Sequence, residues 1–165
     1  MLTSRSLSKT RTRRKNQTAC DARAAAIGLL ARRDFASGEL RQRLLTQGFD
    51  SGEIEQALAE LAGAGTLNDA RYAQNYVAYH AGRGQGPLRI SAQLRRFALE
   101  PALIEAALAE GPDWRALARQ VCRGKFGAAA ASSWAHKARQ ARFLQYRGFS
   151  ADHIRAATGA DSELD

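Results

Sequence analysis

The string Arg83-Gly84-Gln85-Gly86-Pro87-Leu88-Arg89-Ile90 is the stretch of this sequence that comes nearest to a chemical motif. A glycine loop opening a helix can hold a phosphate through its backbone N–H groups and the positive end of the helix dipole, and Arg83 and Arg89 stand beside it. The same string also serves as a plain turn, because Pro87 is favoured at a first helical position and the glycines make the bend before it. No Gly-Lys-Ser/Thr follows, so nucleotide hydrolysis is not implied. Other reactive residues are scattered. His80, His136 and His153 sit in no i, i+4 or H-E-x-x-H pattern, and there is no G-x-S-x-G, Cys/His signature or acidic cluster. Cys20 and Cys122 form no C-x-x-C and read as reduced bystanders, while Asp34 and Asp69 read as turn or cap residues. Neither catalysis, a metal nor a cofactor is expected.

What remains is charge. The formal net charge is +9 with a pI near 10.4, which points to a polyanionic partner. Its distribution matters more than its sum. Residues 70–99 carry five basic and no acidic side chains and residues 111–147 carry eight and one, whereas residues 21–69 carry five basic and eight acidic and residues 100–110 carry three acidic and no basic. A chain that merely needed solubility would intersperse the signs, so the segregation predicts a basic face set against an acidic one. The candidate binding residues on that face are Arg71, Arg83, Arg89, Arg95, Arg96, Arg119, Arg123, Lys137, Arg139 and Arg142.

The elements that must position these residues come from a repeat. Gly48-Phe49-Asp50 to Leu58 returns as Ala98-Leu99-Glu100 to Leu108 and as Gly148-Phe149-Ser150 to Thr158, with Ile54, Ile104 and Ile154 spaced by 50 and Leu44, Leu94 and Leu144 keeping the same interval. A period of 20 to 50 residues marks one supersecondary unit stacked on copies of itself. Ala, Leu, Arg, Gln and Glu dominate and valine occurs only as Val77 and Val121, so the chain is predicted all-α. Three tandem three-helix repeats are expected, at 21–65, 66–110 and 111–158, forming an elongated, curved array. A disordered basic arm precedes them at 1–20 and an acidic tail follows at 159–165.

Within the repeats, Asp21 to Arg33 reads as the first helix and Ser37 as a cap of the second. Gly48 reads as the left-handed residue closing that helix, and Asp50 with Glu53 as a capping box opening the third. Asn68 or Asp69 caps the next helix, whose Tyr72, Tyr76 and Tyr79 read as a core stripe rather than a base-stacking platform. Ile90, Leu94 and Phe97 point inward, as do Trp114, Leu117 and Val121, while Arg115, Arg119 and Arg123 share a surface. Lys125 to Ser133 is a Gly/Ala-rich connection, and a helix resumes from Trp134 to Arg147.

Taken in order, Arg33-Asp34-Phe35, Glu39-Leu40, Gly48-Phe49, Gly65-Thr66-Leu67-Asn68-Asp69-Ala70-Arg71-Tyr72-Ala73, Gly86-Pro87-Leu88-Arg89-Ile90 and Arg142-Phe143-Leu144-Gln145-Tyr146-Arg147-Gly148-Phe149 resemble the RecX family of bacterial regulatory proteins, from about Ala22 to Ala157. The resemblance implies a curved array that lodges in the groove of the RecA filament on single-stranded DNA. There it would limit filament growth and damp ATPase, strand-exchange and coprotease activity. It also implies weak, sequence-indifferent nucleic-acid binding, and a monomer is expected. Two other classes stay open: a helix-turn-helix-like regulator that reads duplex DNA, and an organelle-targeted helical adaptor whose arm is a transit segment. No apolar run approaches the roughly 18 residues needed to span a bilayer, so a cytoplasmic protein without membrane contact is expected.

Overall fold

The computed structural model describes residues 21–127 and 133–159; the expected arm at 1–20, the centre of the Gly/Ala-rich connection and the acidic tail past Gly159 lie outside them. The described residues form nine α-helices. The first unit holds α1 (Ala22–Leu30), α2 (Ser37–Gln47) and α3 (Ser51–Gly63), and the second α4 (Asp69–Gly82), α5 (Pro87–Arg95) and α6 (Pro101–Ala109). The third holds α7 (Trp114–Phe126), α8 (Trp134–Arg147) and α9 (Ala151–Thr158).

Each unit closes on its own core. Leu40, Leu44, Ile54, Leu58 and Leu61 meet in the first, Tyr72, Val77, Ile90, Leu94 and Ile104 in the second, and Ala118, Cys122, Leu144 and Phe149 in the third. The repeated leucines Leu44, Leu94 and Leu144 are all fully buried, each contributing on the order of 1.5–3 kcal/mol. The repeated isoleucines are less uniform. Ile54 and Ile104 are buried, but Ile154 packs only partly covered at the edge of the smaller third core. Burial without a partner charge pushes the Cys122 thiol above its ordinary pKa, as befits an inert core residue.

Caps explain most boundaries. Asp21, Asp50, Asn68, Asp113, Ser133 and Ser150 each accept a backbone N–H of the first turn they precede. Four local expectations change. Asp50 caps α3 through Gly52 N–H, and the reciprocal capping box belongs to α9, where Ser150 and His153 exchange bonds. The first helix ends at Leu30 rather than Arg33. There Arg32 N–H turns back tightly onto the Leu29 carbonyl, freeing Arg33 to pair with Glu39 and to stack 3.7 Å over Phe35. Ser37 is the first residue of α2, not its cap. The tyrosine stripe divides: Tyr72 and Tyr76 pack edge-on to Phe97, whereas Tyr79 is exposed.

The units join through their middle helices, end to end. Gly38, in the first turn of α2, lies so close to the Phe97 carbonyl beyond α5 that a Cβ would overlap it. Gly86, which caps α5, lies equally close to the backbone of Gly148 beyond α8. The amino end of α2 therefore abuts the carboxyl end of α5, and the amino end of α5 abuts that of α8. Trp114 reinforces the second joint by packing on the core of the second unit and donating from Nε1 to the Leu108 carbonyl at 3.1 Å.

Candidate functional site

The glycine string does not present its amides to solvent. Gly86 N–H donates to the Arg147 carbonyl at 2.8 Å and Leu88 N–H donates to the Gly148 carbonyl at 3.0 Å. Two orphan donors at the start of α5 thus satisfy two acceptors at the end of α8, with the helix dipoles aligned head to tail. Of the two readings of this string the phosphate cradle is closed, because the next unit occupies those amides, and the turn before Pro87 stands.

Charge pairing separates the first unit from the middle helices of the other two. Arg23, Arg33 and Arg41 pair with Glu60, Glu39 and Glu55, at 3.2, 2.5 and 2.5 Å. These contacts raise the pKa of Arg33 and Arg41 and hold Glu55 below the usual carboxylate range. Neither α5 nor α8 contains an acidic residue, and Arg95, Arg96, Arg139 and Arg142 are exposed without an ion pair to another described residue. On α8, Arg139, Arg142 and Tyr146 follow at i, i+3 and i+7, on the face turned away from buried Gln140 and Leu144.

At the joint, Arg89 carries that surface from α8 onto α5. Its guanidinium donates to the Tyr146 carbonyl at 3.3 Å and lies 5.5 Å from the centre of the Tyr146 ring. Tyr146 is 77% exposed and Trp134, at the far end of the same helix, 83%. Sequence reasoning missed both as surface aromatics. For Tyr146 the signal was there, since it follows Arg142 at i+4 on the side of the helix away from Leu144; Trp134 is the first residue of the helix, where few neighbours cover it. Basic side chains interleaved with exposed aromatic rings are the composition of surfaces that track single-stranded nucleic acid.

The remaining candidates go elsewhere. Arg71 donates to the Thr66 carbonyl at 3.1 Å and reaches Asp34 at 3.7 Å, clasping the first unit to the second. Arg83 donates to the Tyr79 hydroxyl at 3.0 Å beside the second joint. Lys137 is half-buried on the flank of α8. Arg119 and Arg123 are exposed on the side of α7 that Arg115 also occupies, and Arg115 turns toward α9 through its 2.6 Å pairing with Asp152. That pairing depresses the Asp152 pKa. The ten residues therefore divide into those carried by the two middle helices (Arg89 and Arg95 on α5 with Arg96 at its carboxyl cap, Arg139 and Arg142 on α8) and separate local groups.

Burial, with the Arg83 and Arg89 cations beside it, also pushes the His80 imidazole below its ordinary pKa. Among the described residues no group of three or more His, Cys, Asp or Glu side chains could hold a metal ion, and no helix is long and apolar enough to cross a membrane.

Known proteins match this arrangement unit by unit. The first, second and third three-helix domains of RecX match residues 22–61, 68–108 and 113–158. The chain is 42% identical over 144 residues to the regulatory protein RecX of Halorhodospira halophila, covering 87% of this chain and 89% of that protein. It is 43% identical over 133 residues to that of Vibrio vulnificus, covering 80% and 87%. The crystal structure of RecX from Lactobacillus salivarius superposes with a TM-score of 0.75 at 19% identity, over 87% of this chain and 96% of that one, a likeness of fold.

Proposed function

We propose, from the premise that this chain belongs to the RecX family of regulatory proteins, that it is a negative modulator of the RecA recombinase that lodges in the groove of the RecA filament on single-stranded DNA. The observation that carries the reading is the α5–α8 surface, where unpaired arginines and an exposed tyrosine run across a joint between two units with no acid on either helix. A filament groove offers protein and phosphate together, and a long basic surface can contact both. Inhibition needs no chemistry: a ligand that prefers one filament state, or occupies the place of the next subunit, shifts assembly by mass action.

The duplex-reading alternative fits less well. A helix-turn-helix aims the amino-terminal residues of its recognition helix at base edges. Here the amino ends of α2 and α5 are both covered by the neighbouring unit.

The test is RecA ATP hydrolysis on single-stranded DNA at fixed salt, with this protein titrated in below stoichiometry. The expected result is loss of hydrolysis at ratios too low to coat the DNA. Combined Arg95→Glu and Arg96→Glu, which touch neither joint hydrogen bond, should weaken that inhibition at least about tenfold with helicity unchanged. Inhibition seen only when the protein covers the DNA would overturn the reading.

A further inference from the structure

Beside the second joint lies a cleft of about 410 Å³ whose ionisable wall residues are Arg83, Lys125 and Arg147, with no carboxylate among its lining. Two of the three cations are already held in place. Arg147 donates from Nη1 to the Arg83 carbonyl at 3.1 Å and lies 5.3 Å from the centre of the Phe143 ring, with Nη2 and Nε free of hydrogen bonds to the other described residues. Arg83 is fixed by the Tyr79 hydroxyl and ring. Lys125, on the last turn of α7, has no ion pair with another described residue.

The glycines at the cleft have a use that the closed backbone cradle does not explain. Gly84 holds φ +74°, and a Cβ there would stand 3.0 Å from Val121 Cγ2, so its absence lets α7 pack against the turn that carries Arg83. Gly124, on the opposite wall, has nothing within 4 Å of where a Cβ would be, which keeps that wall open. Gln120 adds an amide. Three cations around one cleft repel one another, and with no acid on the walls an anion is what relieves that repulsion. Planar guanidinium forks with bound orientations suit phosphoryl oxygens in particular, with the lysine adding a mobile point charge.

We infer that this cleft is a phosphate-binding site between the second and third units, distinct from the outward α5–α8 surface and built from the side chains of Arg83, Lys125 and Arg147. Its ligand is a phosphoryl group, supplied either by the backbone of a nucleic-acid strand or by the polyphosphate of a free nucleotide. Because Arg147 grips the Arg83 carbonyl across the joint, occupancy of the cleft bears directly on how firmly the two units are held.

The inference shares Arg83 with the proposed nucleic-acid contacts but rests on its own geometry, and its test contains no recombinase. The full chain is titrated calorimetrically at constant ionic strength with inorganic pyrophosphate and, separately, with a short single-stranded oligothymidylate. Two variants spare the structural contacts: Lys125→Gln, which removes the unpaired charge, and Gly124→Glu, which adds a carboxylate at an open helical position. Each should weaken at least one probe by about tenfold or more, with helicity and melting temperature preserved. Weakened pyrophosphate binding identifies a free polyphosphate as the source, and an effect on the oligonucleotide alone identifies a strand backbone. If neither variant changes either affinity by more than about threefold, the cleft is not a phosphate site. Neither result bears on RecA inhibition, which the Arg95→Glu and Arg96→Glu variant tests separately.

Discussion

The two joints solve one geometric problem with different chemistry. At the first, the amino end of α2 is met by a carboxylate: Asp69 of the second unit accepts from Ser37 N–H at 2.7 Å and from its hydroxyl at 2.5 Å. At the second, the amino end of α5 is met by carbonyls, those of Arg147 and Gly148. A charge-assisted cap tolerates some sliding, because a side chain can follow its donor. Backbone meeting backbone cannot. The first joint has one such contact, Gly38 on the Phe97 carbonyl, whereas the second has glycine on both sides, Gly86 and Gly148. The second choice spares the joint an acid, and it is there that the unpaired cations Arg83, Arg89 and Arg147 gather.

Substitutions can break or sharpen this contrast. The largest effect is expected from Gly86→Ala, whose methyl would overlap the Gly148 backbone. Because neither backbone can give way, we expect about 2–4 kcal/mol of destabilisation, with the third unit unfolding as a separate transition in urea. An unchanged midpoint would mean that the joint is soft. Asp69→Ala should cost less, about 1–2 kcal/mol, the usual worth of a cap, with a single transition retained by chemical denaturation. A loss as large as that of Gly86→Ala would erase the distinction between the joints.

The smallest effect is at Ala98. It occupies the repeat position of Gly48 and Gly148 and, with φ +56° against their +89°, is the one non-glycine among the described residues with positive φ. Its methyl faces Gly38 across the first joint. Ala98→Gly should relieve about 1–2 kcal/mol of left-handed strain and return part of it as unfolded-chain entropy, for a net gain of some 0.5 kcal/mol by thermal melting. A net loss would show that the Ala98 methyl packs the first joint more favourably than its backbone strain costs.

How much of this was legible in the sequence follows from the range of each interaction. The 50-residue period carried the three units, the buried Leu44, Leu94 and Leu144 and the closing glycines Gly48 and Gly148, because these are set within one unit by local periodicity. Segregated charge pointed to α5 and α8. Two things were not legible: which arginines are neutralised, and where the glycine string's amides go. Asp69 caps a helix that begins 32 residues earlier, and Gly86 bonds a carbonyl beyond residue 140, so both depend on the rotation between units. Tyr79 and Tyr72 share one helical spacing, yet Tyr72 packs in the core, where burial, with the Glu39 carboxylate near it, pushes its hydroxyl pKa up to about 12. Tyr79 projects past the edge of the core.

Each joint consumes one open head, the amino end of a middle helix, and one open tail, the carboxyl end of the next. The head of α8 is quenched from within its own unit instead: Ser133 takes the His136 N–H. Where α2 and α5 borrow a neighbour to satisfy that end, α8 carries its own stopper.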